Sequence, residues 1–236
     1  MTDILIRTEG RAGRITLARP AVLNALTAGM AHALDAALRA WAEDDAVAVV
    51  VIDAQGDRAF CAGGDIADLY AAGRAGRFAE AQRFWRFEYR MNARIAGYAK
   101  PVVSLMQGFT MGGGVGVGCH ARVRVVGETS RIAMPECGIG LVPDVGGSYL
   151  LARAPGRLGV YLGTCAVRMG PADAILAGFA DVFVAQADWP ALIARLCRCD
   201  GEDAVAAALR PVTAPPPAGR LAPLRPEIDR LFAGAD

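Results

Sequence analysis

The chain has 236 residues, 54% of them hydrophobic and 21% charged, with 25 basic against 24 acidic side chains. A chain of this size can bury roughly 70–75% of its unfolded surface, and a net charge of +1 leaves no basic excess for a polyanionic partner. No stretch approaches the ~18 uncharged apolar residues of a membrane helix. A charge interrupts the first apolar run (MTDILIRTEGR), unlike a signal peptide. These features lead us to expect a cytoplasmic protein with neither nucleic acid nor membrane as partner.

Residues 4–9 and 14–18 alternate apolar and polar, as half-buried strands do, with Glu9–Gly13 as the turn between them. From Thr27 to Asp45, apolar residues recur every three or four positions, which predicts an amphipathic helix with Thr27 as N-cap. VAVVVID (47–53) is a continuous β-branched run, the pattern of a strand buried on both faces. A second long helix is predicted over 77–97, a second buried strand over 102–107, and two shorter strands around 122–135. After Gly146 the pattern turns helical in GGSYLLARA, GRLGVYLGTCAV and PADAILAG, the last with Pro171 in its first turn. DVFVA (181–185) predicts a late strand. Past Trp189 one or two short helices are expected, separated by the linker-like VTAPPPAG. Strands alternating with helices, with no internal repeat, predict an α/β fold whose strands are largely parallel.

The six cysteines are scattered, which does not resemble a disulfide framework, and Cys197-x-Cys199 has no histidine nearby to suggest zinc. Only two histidines are present. His32 falls on a predicted helix surface, and His120 follows a glycine run where it could line a site, though without a recognisable partner. A Ser-His or Cys-His catalytic pair is therefore disfavoured, and carboxylates and backbone amides must carry any catalysis.

Three segments depart from an ordinary α/β pattern. In AFCAGGDI (59–66), Gly63-Gly64 makes a tight turn whose N–H groups are unobstructed, before a helix starting near Asp65. This is either a plain strand-to-helix turn or a seat for a carbonyl oxygen or oxyanion. In GFTMGGGVGVGCH (108–120), the glycines allow close approach at a helix N-terminus or tight packing. The strict G-x-G-x-x-G spacing of a dinucleotide fingerprint is not met; residues 116–121 match only the looser variant ending in alanine, and they begin too far past the strand. In MPECGIGLVPDVGGS (134–148), Glu136 and Asp144 are the only ionisable groups from Ile132 to Ala152 apart from Cys137 and Tyr149. Desolvation makes such carboxylates costly unless they are paired or functional, so they are candidates for an acid–base or nucleophile pair. Asp144 could instead cap a helix.

Through RPAVLNAL, CAGGDI, EYR-N (88–92), MGGGVG, AMPE, PDVGG and RMGPADAILAGFAD, the sequence resembles the crotonase superfamily of enoyl-CoA hydratases and isomerases. Within it, PDVGG above all is similar to the 3-hydroxyisobutyryl-CoA hydrolase branch. The resemblance covers most of residues 1–190 and implies a spiral of ββα units over 1–189, with 190–236 as a helical C-terminal segment that is shortened relative to that branch. It also implies an oxyanion hole from the N–H groups of Gly64 and Gly113. Ala62, Asp65 and Ile66 would lie along a coenzyme A groove opposite Ala25, and Glu88 would bind a substrate 3-hydroxyl, unless it is simply an exposed helix carboxylate. The segments Arg74–Arg77 and Arg83–Arg94 read as solvated helix faces or as contacts for coenzyme A phosphates. Hydratases of the superfamily use two glutamates. The second matches Glu136, but the first falls on Gly116, while Asp144 adds a carboxylate that hydratases lack. The expected activity is therefore acyl-CoA thioester hydrolysis with Glu136 and Asp144 as catalytic residues. A hydratase or isomerase and a non-catalytic acyl-CoA binder are the alternatives. No metal or cofactor is implied beyond the coenzyme A of the substrate, and a homo-oligomer (trimer or hexamer) is expected.

Overall fold

The N-terminal alternation folds as an antiparallel hairpin, β1 (Ile4–Glu9) with β2 (Ala12–Leu17), Ile4 facing Leu17. This is seen in a computed structural model that describes residues 2–234. The second strand starts two residues earlier than predicted, because the Arg11 N–H is taken up by the Cys197 carbonyl (2.7 Å) and Ala12 is fully buried. Helix α1 (Ala28–Ala42) begins as expected, with the Thr27 hydroxyl accepting from the Met30 N–H at 3.2 Å.

A repeating pattern follows. Strands β3 (Val49–Ala54) and β4 (Ala59–Cys61) lead to helices α2 (Ile66–Arg74) and α3 (Phe78–Ala96). Strands β5 (Val102–Met106) and β6 (Phe109–Met111) lead to α4 (Gly113–Gly118). Strands β7 (Val123–Val126) and β8 (Arg131–Ala133) lead, through a 3-10 turn at Glu136–Ile139, to α5 (Gly147–Arg153), α6 (Leu158–Cys165) and α7 (Pro171–Leu176). Each ββα turn places its first strand in one sheet and its second in another. Strand β9 (Val182–Val184), helices α8 (Trp189–Leu196) and α9 (Glu202–Leu209), strand β10 (Thr213–Ala214) and helix α10 (Leu221–Leu231) complete the chain. The large sheet has the order β1-β2-β3-β5-β7-β9-β10 and the small one β4-β6-β8. Apart from the two antiparallel pairings at the ends of the large sheet, β1 with β2 and β9 with β10, every strand pair is parallel. The expected α/β spiral is the fold observed.

Continuous apolar strands serve two cores. Val49, Val51, Val103, Leu105 and Val125 pack with Leu192, Leu196, Val205 and Leu209 of α8 and α9 on one face. Their neighbours Val50, Ile52, Val102, Met106 and Val126 point to the other face, into the larger core beneath the remaining helices. Three expectations need correction. Strands β4 and β6 lie inside segments read only as turns, since three residues are too few to show an alternation. Three helices rather than one or two lie past Trp189 among the described residues. The proline-rich linker contains β10, whose Thr213 pairs with Val184 at the sheet edge, just before the prolines remove the donors a longer strand needs. Among the described residues no helix is long and apolar enough to cross a membrane.

Candidate active site

The two glycine turns meet. After β4, the chain crosses Leu26: the Leu26 N–H donates to the Gly63 carbonyl (2.8 Å) and the Asp65 N–H to the Leu26 carbonyl (3.0 Å). Gly64 is held between them. Gly112 has φ +50°, a left-handed conformation suited to glycine, and ends β6 so that Gly113 opens α4. A Cβ placed on Gly113 would stand 3.1 Å from the Gly64 nitrogen, and one on Gly63 3.6 Å from the Gly113 nitrogen. Neither the Gly64 nor the Gly113 N–H has an acceptor among the described residues. Two free amides from separate loops therefore adjoin, an arrangement able to polarise one carbonyl oxygen.

Carboxylates surround this point. Glu88, on α3, is only 2% exposed, and its Oε1 lies 2.6 Å from where a Gly113 Cβ would be. An exposed helix carboxylate is thus not what position 88 holds. Glu136, 6% exposed, opens the 3-10 turn and sends Oε1 to within 2.6 Å of the room a Gly112 Cβ would need. Asp144 accepts a hydrogen bond from the Tyr89 hydroxyl on Oδ2 (2.7 Å). It does not cap α5: the N-cap is Gly146, and no side chain caps that helix. Burial pushes Glu88 up to about 8, with the charges of Asp144 and Glu136 adding to the effect. Burial, joined by repulsion from Asp144, lifts Glu136 to about 7. Glu88 Oε1 and Glu136 Oε2 are buried with no hydrogen-bond partner among the described residues.

Of the residues singled out from the sequence, Gly64, Gly113, Glu88, Glu136 and Asp144 line one cavity of about 90 Å³. Ala62 and Ile66 stand on its wall. Ala25 and Asp65 do not line it. They are tied together by Arg19, whose Nη1 donates to the Ala25 carbonyl (2.7 Å) and to Asp65 Oδ2 (3.0 Å). Asp65 instead borders a separate cavity of about 310 Å³ with Leu26 and Phe84. Two of the arginines are also committed elsewhere: Arg94 Nε pairs with the buried Asp35 (2.7 Å), and Arg77 Nε with Glu80 (2.8 Å).

The departure at Gly116 has a physical cause. A Cβ there would meet Asn92 Nδ2 at 2.6 Å and the Val145 Cβ at 2.9 Å, so α3 and the Asp144 loop already fill the side-chain room. Sequence reasoning underrated His120 and passed over Val145. Val145 is 3% exposed with φ +46°, a strained conformation for a β-branched residue. His120 Nε2 lies 2.8 Å from its carbonyl. A carbonyl only accepts, so Nε2 carries the proton, and burial favours the neutral ring. No spacing rule could expose this partner, because it is a backbone atom. Asn24 was passed over too. It is fully buried with φ +54°, and its amide donates to the carbonyls of Gln55 (3.0 Å) and Ala59 (2.9 Å), anchoring the start of β4. An asparagine just after a proline turn was its one available signal.

Residues 12–236 match the model of a family described as enoyl-CoA hydratase/isomerase. The chain belongs to this family. It is 47% identical over 190 residues to the Xenopus tropicalis protein named 3-hydroxyisobutyryl-CoA hydrolase, mitochondrial, covering 80% of this chain and 49% of that one. It is 42% identical over 182 residues to the Homo sapiens protein of the same name, covering 77% and 47%. The chain thus spans about half the length of the curated relatives it matches. Among solved structures, an enoyl-CoA hydratase from Rhodobacter sphaeroides 2.4.1 superposes with a TM-score of 0.92 at 64% identity, over 99% of this chain and 67% of that one. A carnitinyl-CoA dehydratase from Mycobacterium thermoresistibile gives a TM-score of 0.94 at 46% identity, with the same coverage. The crotonase fold of these family members is the fold described above.

Proposed function

We propose that this chain is the catalytic core of an acyl-CoA thioester hydrolase of the 3-hydroxyisobutyryl-CoA type. The observation that carries the reading is the filled space at Gly116. Hydration by two glutamates needs a carboxylate at that position, and Asn92 and Val145 exclude one. Asp144 supplies a carboxylate from a different loop, and the relatives named 3-hydroxyisobutyryl-CoA hydrolase support the same choice.

In this mechanism the Gly64 and Gly113 N–H groups hold the thioester carbonyl oxygen. They stabilise the tetrahedral anion, each donor contributing ~2.7–4 kcal/mol to lowering the barrier. Ionised Glu136 attacks the carbonyl carbon, the C–S bond breaks and a mixed anhydride forms as the coenzyme A thiolate leaves. Water then opens the anhydride, returning the Glu136 carboxylate and releasing the acid. Asp144, fixed by Tyr89, manages the proton of that water. Glu88 binds a hydroxyl on the acyl group. A Glu136→Gln variant should lose CoA release by about 10²–10⁴-fold, followed with a thiol reagent; near-normal turnover would refute the assignment. The likeness to solved structures named enoyl-CoA hydratase and carnitinyl-CoA dehydratase favours hydration as the second reading. It predicts that crotonyl-CoA is hydrated faster than 3-hydroxyisobutyryl-CoA is cleaved, and a side-by-side assay separates the two.

A further inference from the structure

Phe84, on α3 one turn before Glu88, borders both the 90 Å³ cavity at the oxyanion turn and the 310 Å³ cavity beside Asp65. Among the described residues only Leu69 of α2 shares that place with it. The Phe84 ring abuts the turn itself, since a Cβ placed on Gly64 would stand 3.4 Å from its Cε1. These two side chains are therefore the partition between the two rooms. A cavity of about 150 Å³ holds a benzene ring, so the 90 Å³ of the smaller room take only ~four carbon-sized atoms. The larger room suits hydrocarbon. Leu26, Ala72, Ala81 and Phe84 line it, and the charges on its border are neutralised: Arg77 Nε pairs with Glu80 (2.8 Å), and Arg19 Nη1 with Asp65 (3.0 Å). An apolar guest gains there by leaving water, whereas an anion finds no unpaired cation among the described residues that line the cavity.

We propose that Phe84, backed by Leu69, is the residue that sets acyl-chain length. The ring stops an acyl group after about four carbons, and the 310 Å³ cavity behind it is the room that a longer tail takes once the ring is cut back. The proposal rests on the thioester reading above and adds to it a limit on substrate size. Its physical basis is overpacking: extra methylenes pressed against a ring that already touches the oxyanion turn either displace the carbonyl from the Gly64 and Gly113 amides or force the ring aside.

The test compares 3-hydroxybutyryl-CoA with 3-hydroxyoctanoyl-CoA, a pair differing only by four methylenes. Wild type, Phe84→Ala and Leu69→Ala are assayed for CoA release with kcat and KM separated, after circular dichroism has shown each to be folded. Phe84→Leu, which keeps part of the side chain, stands in where the alanine variant does not fold. Wild type should prefer the shorter thioester by at least about tenfold in kcat/KM. Both cavity-joining variants should raise the ratio of long to short by at least about tenfold, the Phe84 variant more. A wild type without preference, or a ratio unchanged in the folded variants, would overturn the proposal. So would KM values that shift by one common factor for both thioesters, since the larger cavity would then hold the coenzyme arm that the two share. If wild type releases CoA from neither of them nor from 3-hydroxyisobutyryl-CoA, the hydrolase reading fails. Calorimetric affinities of the same pair for wild type and variant then decide the partition: a gain confined to the longer ligand in the variant supports it, and equal changes overturn it.

Discussion

In the proposed mechanism Glu136 must be ionised to attack, yet burial raises its pKa to about 7. CoA release should therefore climb with pH through a limb near neutrality, which a kcat–pH profile will locate. Stability should run the other way. Carboxyls with folded pKa values raised to about 7 and about 8 bind more protons in the native than in the unfolded chain above the ordinary value of 4.5. Their contribution is full below that value and is lost as pH rises through 7 and 8. Melting temperatures across this range should fall, and Glu136→Gln should flatten the fall. His120 acts through Val145. Replacing it with Ala removes the 2.8 Å bond that restrains a left-handed β-branched residue beside Asp144. We expect ~1–3 kcal/mol of lost stability and a lower kcat. His120→Gln, whose amide can donate to the same carbonyl, should restore most of both in denaturation and turnover measurements.

At the scale of elements, helix α4 shows how a glycine-rich segment can be decided by packing as well as by chemistry. Its six residues are all buried, and α3 presses Asn92 into the room at Gly116. Gly116→Ala should cost ~1–3 kcal/mol through overpacking, read from urea denaturation; an unchanged midpoint would mean that the neighbours give way freely. Helices α1 and α3 are also locked together, as Asp35 accepts from both Arg39 and Arg94 at 2.7 Å. The long helices and buried strands were legible because periodicity accumulates over many residues, as in α1 with its Thr27 cap. Strands β4 and β6 were not, since three residues acquire strand identity only from the partners that tertiary folding brings to them.

For the whole molecule, the last helix closes the core. Leu221 and Ile228 are buried, Phe232 meets the Tyr161 ring edge-on at 5.4 Å, and Asp229 caps the Arg157 N–H at 2.7 Å. Ending the chain after Gly219 should cost about 3–6 kcal/mol from the two buried aliphatic side chains, at 1.5–3 each. Chemical denaturation measures this, and retention of full stability would show that α10 contributes little.

Local pattern alone determined the long helices and the buried strands, where the uncharged loop with its two carboxylates lay, and which turns were glycine-rich, because each is written in neighbouring residues. Only the tertiary structure decided that Gly64 and Gly113 adjoin, that Glu88 is buried, that Asp144 binds Tyr89, and that Asn92 fills the space at Gly116. The reason is physical: the spiral brings together loops far apart in the chain, and whether a carboxyl is desolvated or an amide is left free depends on what the other loops place beside it.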